Sequence, residues 1–130
     1  MTDIEDIEDI KILVDDFYLK VKNDQLLSPV FATRIQGKDW EKHLNRMYDF
    51  WNTVLFFQRG YKGNPFSKHL GFPITEVHFS KWVELFTETV DHHFSGEKAD
   101  ETKKRANNMA LMFQSKIAYF ASKPNAKPLM

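Results

Sequence analysis

The feature that most constrains the fold is a short segment with helix-starting signals at one end and helix-stopping signals at the other. Asn64 can cap a helix, and Pro65 suits the first helical position. Gly71 can turn the chain out of the helix, and Pro73 prevents the helix from resuming. The segment therefore predicts a helix of about one and a half turns, which presents the imidazole of His69 near its end.

Four longer segments flank this short one, and their apolar residues recur at steps of three and four, the spacing of one helix face. The predicted buried stripes are, in chain order, Ile7, Ile10, Val14, Phe17, Tyr18 and Val21; Trp40, His43, Leu44, Met47, Phe50, Trp51, Val54 and Leu55; Phe79, Trp82, Val83, Phe86, Val90 and Phe94; and Ala106, Met109, Ala110, Phe113, Ile117 and Phe120. No segment shows the alternation of a strand. The sequence therefore predicts an all-α domain with helices of unequal length.

Capping residues predict where these helices begin. Thr2 with Glu5 can form a capping box for the first helix. A very short helix is predicted to start at Ser28, with that serine as its cap, and the second long helix is predicted to start near Asp39. Thr75 is the predicted cap of the third long helix. The last helix is predicted to run over about residues 97–121.

Length and composition exclude several classes of protein. A chain of 130 residues is too short for two ordinary domains, so one domain over residues 1–130 is predicted, with residues 122–130 as a loosely ordered tail. Lys plus Arg and Asp plus Glu both number 18, which disfavours a nucleic-acid partner. Without cysteine there is no disulfide, thiolate metal site or cysteine nucleophile.

The acidic start of the chain does not resemble a signal peptide, because it lacks a basic region followed by an apolar stretch. The longest solidly apolar run, residues 54–57, is too short to cross a membrane. The sequence therefore predicts a cytoplasmic protein with no membrane partner.

Three polar side chains lie on otherwise apolar stripes of three different helices: Tyr18, His43 and Trp82. Each has an ordinary explanation, as a core residue whose polar atom is hydrogen-bonded inside the protein. A functional role is favoured by their convergence, because three helices bring a hydrogen-bonding group to one apolar interior, where an unsatisfied donor is costly.

His69 is the predicted metal ligand. Phe66 precedes it in the short helix and Phe72 follows the helix, and a haem protein needs one nitrogen ligand presented to iron at the floor of an apolar slot. His78 is predicted to be a surface residue and is the main competitor for the ligand role. The histidines at 92–93 are predicted to be solvated, near the negative end of their helix.

The order and spacing of several motifs can be compared with known families. These motifs are Phe17-Tyr18, Val21-Lys22-Asn23-Asp24, Pro29-Val30-Phe31, Trp40-Glu41-Lys42-His43, Phe50-Trp51, Tyr61-Lys62-Gly63-Asn64-Pro65, His69 and Phe79-Ser80-Lys81-Trp82. Together they resemble the truncated haemoglobins, and within that family the third group. The resemblance covers all but the acidic start and the tail. It implies a truncated globin fold, a two-over-two helical sandwich around a haem pocket.

The resemblance also implies a role for each matching residue. His69 corresponds to the proximal histidine that binds the iron of haem b. Tyr18, His43 and Trp82 correspond to the distal residues that contact dioxygen or another diatomic ligand. The remaining implied haem-pocket residues, which include candidates to meet the propionates, are Phe31, Arg46, Met47, Phe50, Tyr61, Lys62, Phe66, Lys68 and Phe72.

Hydrogen bonds from both Tyr18 and Trp82 would hold dioxygen too tightly for an oxygen carrier. The resemblance therefore implies a reaction of the bound gas, such as nitric oxide oxidation or peroxide reduction. The electrons would come from a separate reductase, because the chain has no flavin or nicotinamide motif. The alternative is a haem-free helical interaction module in which the aromatic residues are simply core. A carboxylate metal enzyme is set aside, because no Glu-x-x-His pairs occur where two helices would need them. The sequence leaves the oligomeric state open.

Overall fold

The computed structural model describes residues 1–58 and 74–122, with the backbone alone for residues 120–122. The described helices are α1 (Ile7–Asn23), α2 (Ser28–Ala32), α3 (Asp39–Phe56), α4 (Glu76–His93) and α5 (Glu97–Ser122). No strand occurs in these ranges, so the predicted all-α class is confirmed. The predicted short helix around His69 lies outside the described residues, as does the predicted tail beyond Ser122.

The helices pack as two pairs joined through α1. α1 packs against α3, α4 packs along α5, and α1 also packs against α4. The buried faces follow the stripes that the sequence predicts, since Ile10, Val14 and Val21 of α1 are each at most 1% exposed. In the described ranges no helix combines the length and the apolar character that a membrane span needs.

Aromatic rings form the centre of the core, where α1 meets α4. Phe17 meets the edges of Trp82 and Phe86, with ring centroids 5.5 and 5.1 Å apart. Phe86 stacks between two indoles, that of Trp82 at 5.5 Å and that of Trp51 at 5.1 Å. Because aromatic pairs in these geometries contribute beyond their buried area, this cluster fixes α4 against both α1 and α3.

The predicted capping box of Thr2 and Glu5 is wrong. α1 begins at Ile7, and Asp6 caps it by accepting the N–H groups of Glu8 and Asp9 at 3.1 and 3.2 Å. The residues before this cap bind the start of α5 instead. Their role depends on a contact with residues about 95 positions later in the chain, which local sequence cannot show.

Residues 2–4, here called the amino-terminal clamp, bind the start of α5. The Asp3 carboxylate accepts the backbone N–H groups of Lys98 and Ala99 at 2.9 and 2.8 Å. The carbonyl of Thr2 accepts the N–H of Ser95 at 3.0 Å, and Ile4 is 2% exposed. The clamp therefore supplies acceptors for N–H groups that have no partner within α5.

The predicted serine cap of the short helix is also wrong. Ser28 is the first helical residue, and its hydroxyl does not cap the helix. The Asp24 carboxylate accepts the N–H groups of Leu26 and Leu27 instead, at 3.0 and 2.9 Å. The predicted starts at Asp39 and after Thr75 and the predicted extent of α5 are confirmed to within one residue.

Candidate functional site

A cavity of about 390 Å³ lies between the helix pairs and is enclosed by side chains of α1, α3, α4 and α5, with Phe31 of α2 at one side. Its walls are mainly apolar and aromatic, and its charged residues belong to the segment from Arg34 to Arg46. Pockets for small organic molecules have this size and this mixture of groups.

Every predicted site residue that the structure describes lines this one cavity. These residues are Tyr18, Phe31, His43, Arg46, Met47, Phe50 and Trp82. The other predicted site residues, which lie outside the described ranges, are Tyr61, Lys62, Phe66, Lys68, His69 and Phe72. The placement of the first group is an observation, and the roles of both groups remain predictions.

Tyr18 is held on the buried face of α1 by rings on three sides. Its ring centroid lies 4.9 Å from that of Phe17, 6.1 Å from that of Phe31 and 4.8 Å from that of His43. Burial alone raises the pKa of the Tyr18 phenol far above its ordinary value of 10.0. The phenol is therefore protonated at any ordinary pH and offers an O–H donor beside the cavity.

His43 lies on α3 between two aromatic rings. Its ring is nearly perpendicular to both neighbours, with an interplanar angle of 88° to Tyr18 and of 89° to Trp40. The ring centroids of His43 and Trp40 are 5.9 Å apart. Its Nε2 atom is shielded from solvent. Trp40 is covered in turn by the Lys22 ammonium, 4.3 Å from its ring centroid. Trp40, which was not predicted as a site residue, thus holds His43 in place although it does not line the cavity.

Trp82 lies on α4, across the cavity from α3. Its indole is half-buried and nearly parallel to the ring of Phe86, with an interplanar angle of 11°. One face of the indole is therefore fixed by the core, and the ring also lines the cavity. The phenol, the imidazole and the indole that the sequence placed on three helices thus border the same space.

Three exposed cations line the cavity: Arg34 before α3, and Lys42 and Arg46 on α3. Asp39 is the acidic residue among the lining side chains. Arg46 was predicted, whereas Arg34 and Lys42 were not. Lys42 lies one helical turn before Arg46, and this spacing places both on one side of α3.

The prediction that His78 is a surface residue is wrong. The ring is half-buried and lines the cavity, one helical turn before Trp82. The backbone N–H of Thr75 donates to Nδ1 of His78 at 3.0 Å, and the Thr75 hydroxyl oxygen lies 3.0 Å from the same nitrogen. The i, i+4 spacing to Trp82 is the sequence signal that could have placed the imidazole on the same face of α4 as the indole.

Several apolar lining residues were predicted as core but not as part of a site. Those farthest from the predicted set are Phe79, Phe86, Met109, Ala110 and Phe113. They continue the stripes of α4 and α5 past the closely packed core, so periodicity alone cannot distinguish the two environments. In the described part of the chain no group of three or more histidines, aspartates and glutamates could hold a metal ion.

Comparisons with known proteins agree with this architecture. The family model described as "Bacterial-like globin" matches residues 4–115. The chain is 32% identical over 113 residues to the group 3 truncated hemoglobin ctb of Campylobacter jejuni, which covers 85% of this chain and 89% of that protein. It is 27% identical over 104 residues to the group 1 truncated hemoglobin GlbN of a Nostoc species, covering 79% of this chain and 83% of that one.

A solved structure is similar over nearly the same length. The crystal structure of the group III truncated hemoglobin from Campylobacter jejuni superposes with a TM-score of 0.83 at 30% sequence identity, and the match covers 90% of this chain and 95% of that one. With a family model that matches most of its length and a relative above 30% identity, this chain belongs to the bacterial-like globins, and within them to the third group of truncated haemoglobins.

Proposed function

We propose that this chain binds haem b in the cavity through His69, and that it holds a diatomic gas there in order to react with it rather than to transport it. The observation that carries the proposal is one cavity that is lined at the same time by Tyr18, His43 and Trp82, by further aromatic rings and by three exposed cations.

The residues present fit haem. The cofactor is a flat apolar ring with two carboxylates at one edge, and the cavity combines flat aromatic walls with three exposed cations. Arg34, Lys42 and Arg46 match the charge of those carboxylates, and an arginine can bind a carboxylate through two parallel hydrogen bonds. The volume of about 390 Å³ is also in the range of small-molecule sites.

A contact of His78 disfavours it as the iron ligand, which leaves His69 as the proposed one. An imidazole that binds a metal through one nitrogen donates the N–H of its other nitrogen to an acceptor. Nδ1 of His78 instead accepts the N–H of Thr75, so it meets a donor. Metal binding through Nε2 would place a proton on Nδ1 and break this capping hydrogen bond.

When bound, haem supplies an iron atom whose ferrous form takes a small gas molecule as a ligand. The chain supplies hydrogen-bond donors to that molecule. Tyr18 is a neutral phenol in an apolar wall, so its O–H can donate to the gas molecule. If that molecule carries negative charge, the hydrogen bond contributes about 1.5–3 kcal/mol to its binding. Donation from both Tyr18 and Trp82 would slow dioxygen release by roughly 10²–10⁴-fold, because each 1.4 kcal/mol is a factor of ten.

Slow release is unsuited to transport and suited to a reaction. Oxidation of nitric oxide to nitrate by dioxygen consumes one electron, and reduction of hydrogen peroxide to two waters consumes two electrons and two protons. Because the sequence has no flavin or nicotinamide motif, we propose that a separate reductase supplies these electrons.

The test is the rate of dioxygen release from Tyr18→Phe, measured by stopped-flow mixing of the reduced protein. We expect release to become at least about tenfold faster, since one charge-assisted hydrogen bond is lost while the ring remains. Tyr48→Phe is the matched control, because the Tyr48 hydroxyl bonds to Asp15 between α1 and α3 and does not line the cavity. A rate for Tyr18→Phe within a factor of two of the wild type would refute the role of Tyr18.

A further inference from the structure

The imidazole of His78 is a second polar group presented to the cavity that the proposed function does not use. It belongs to the first turn of α4, is half-buried and shares the cavity wall with Ile74 and Trp82. Both of its hydrogen bonds within residues 1–58 and 74–122 are made by Nδ1, and none is made by Nε2. One end of the ring is therefore committed and the other is available.

The hydrogen bond at Nδ1 determines whether Nε2 is a donor or an acceptor. Nδ1 uses its lone pair to accept the N–H of Thr75 at 3.0 Å. In the neutral imidazole one nitrogen is a donor and the other an acceptor, so the ring proton is on Nε2. The capping contact thus makes His78 a hydrogen-bond donor toward the cavity.

A donor fixed in this way needs an acceptor on whatever occupies the cavity. Haem b carries two carboxylates, and these are the strong acceptors at the edge of an otherwise apolar ring. A hydrogen bond from an N–H to a carboxylate is stronger than one between neutral groups, and it also fixes the position of the acceptor.

We propose that His78 donates its Nε2–H to a carboxylate of the bound haem and so acts as a positioning residue for the cofactor. The inference rests on the proposed function, because it requires haem in this cavity. The His78 side chain then links the cap of α4 to the position of the cofactor. The Thr75 N–H selects the His78 tautomer with its proton on Nε2, which is the one that can donate to a carboxylate.

The experiment compares haem b with its dimethyl ester, in which both carboxylates are masked. Each haem is loaded into the full chain, and its transfer to an excess of a haem-scavenging apoprotein is followed by absorbance. The variants are His78→Phe, which keeps a ring but removes the donor, and His78→Gln, whose amide offers an N–H donor at a similar distance. His92→Phe is the control, because His92 is exposed on the same helix and does not line the cavity.

For haem b we expect His78→Phe to lose the cofactor about tenfold faster than the wild type, and His78→Gln to recover most of that difference. With the dimethyl ester we expect the wild type and His78→Phe to differ by less than about twofold, because the carboxylate acceptor is gone. His92→Phe is expected to match the wild type with both haems.

Other outcomes would overturn the inference. Equal acceleration with both haems would mean that the substitution acts through packing or through the lost cap of α4, and no acceleration with either would mean that His78 does not hold the cofactor. Loss of the axial-ligand absorption in His78→Phe would make His78 the iron ligand instead. Failure of the wild-type chain to take up either haem would refute the proposed function itself.

Discussion

The two ends of α4 are packed in opposite ways. At its amino-terminal end His78 and Trp82 are half-buried and border the cavity. At its carboxyl-terminal end Thr89 and Val90 are fully buried, and His93 lies 2.8 Å from Asp16 of α1. One helix thus passes from an open space into a closely packed core.

The difference shows where the fold concentrates its stability. The closed end is tied by the amino-terminal clamp and by Lys98, whose ammonium donates to the carbonyl of Leu55 at 2.7 Å and to Glu101 at 3.0 Å. The cavity end lacks partner atoms across an open space and so forgoes dispersion contacts. The closed end must therefore stabilise a fold that keeps room for an occupant.

The largest expected effect is at the cavity end. His69→Ala removes the proposed iron ligand, and we expect it to lose stoichiometric haem or the normal haem absorption, while the haem-free protein unfolds at nearly the wild-type temperature. Haem content and absorption spectra measure the first effect, and circular dichroism on heating measures the second. His92→Ala serves as the control, and full retention of haem and spectrum by His69→Ala would move the ligand to another residue.

The next prediction compares, in the haem-free protein, one truncation in the closely packed core with one at the cavity wall. Leu13 is fully buried in α1 and does not line the cavity, so Leu13→Ala should lower the free energy of unfolding by about 2–5 kcal/mol. Met47→Ala should lose about 1 kcal/mol or less, because its side chain already faces the cavity and leaves little new empty space. Urea unfolding measures both losses, and equal losses would contradict the contrast between the closely packed core and the cavity wall.

A smaller effect is expected at the amino-terminal clamp. Asp3→Ala removes the acceptor of the Lys98 and Ala99 N–H groups and should lower the unfolding free energy by about 1 kcal/mol, the usual contribution of a helix cap. Asp49→Ala, an exposed substitution on α3, should change it by less than about 0.5 kcal/mol. If the two substitutions had the same effect in urea unfolding, the clamp would not stabilise α5.

The smallest effect is a pH dependence of the clamp. Burial by itself raises the pKa of the Asp3 carboxyl, but the backbone N–H groups of Lys98, Ala99 and Ile4 and the charge of Lys98 outweigh it, so the pKa is below its ordinary value of 3.8. The folded pKa is thus below the unfolded one. The stabilisation is fully present above the unfolded pKa and is lost as the pH falls through the folded pKa.

The variant that tests this dependence is Asp3→Asn. The difference in unfolding free energy between wild type and variant should be constant above about pH 5 and should shrink as the pH falls below about 4. Urea unfolding at a series of pH values measures it. A difference that stays the same down to about pH 3 would show that Asp3 titrates normally.

Much of the fold could be predicted from the sequence, because the long helices depend on local periodicity. The stripes that carry Tyr18, His43 and Trp82 are regular, and the structure brings these residues to one cavity. The start at Thr75 is also a local signal, since a cap and its helix are adjacent in the chain. Periodicity thus predicted both the helices and the meeting of the three polar groups.

The errors concern contacts between residues far apart in sequence or choices between nearby acceptors. Asp3 serves α5, which is 95 residues away, so its role could not be seen beside α1. The Val30 and Phe31 N–H groups that Ser28 was expected to cap are accepted by the carbonyl of Leu27, and the Asp24 carboxylate orders the turn before the helix by accepting the N–H groups of Leu26 and Leu27. His78 was assigned to the surface because the predicted stripe of α4 began one residue later, at Phe79.

The most direct test of the account is the absorption spectrum of the reduced protein, supplied with haem, before and after addition of carbon monoxide. The account predicts uptake of one haem per chain and the spectrum of a ferrous haem with an imidazole on one side and carbon monoxide on the other. A chain that stays colourless when haem is supplied would contradict it and would favour the haem-free helical interaction module.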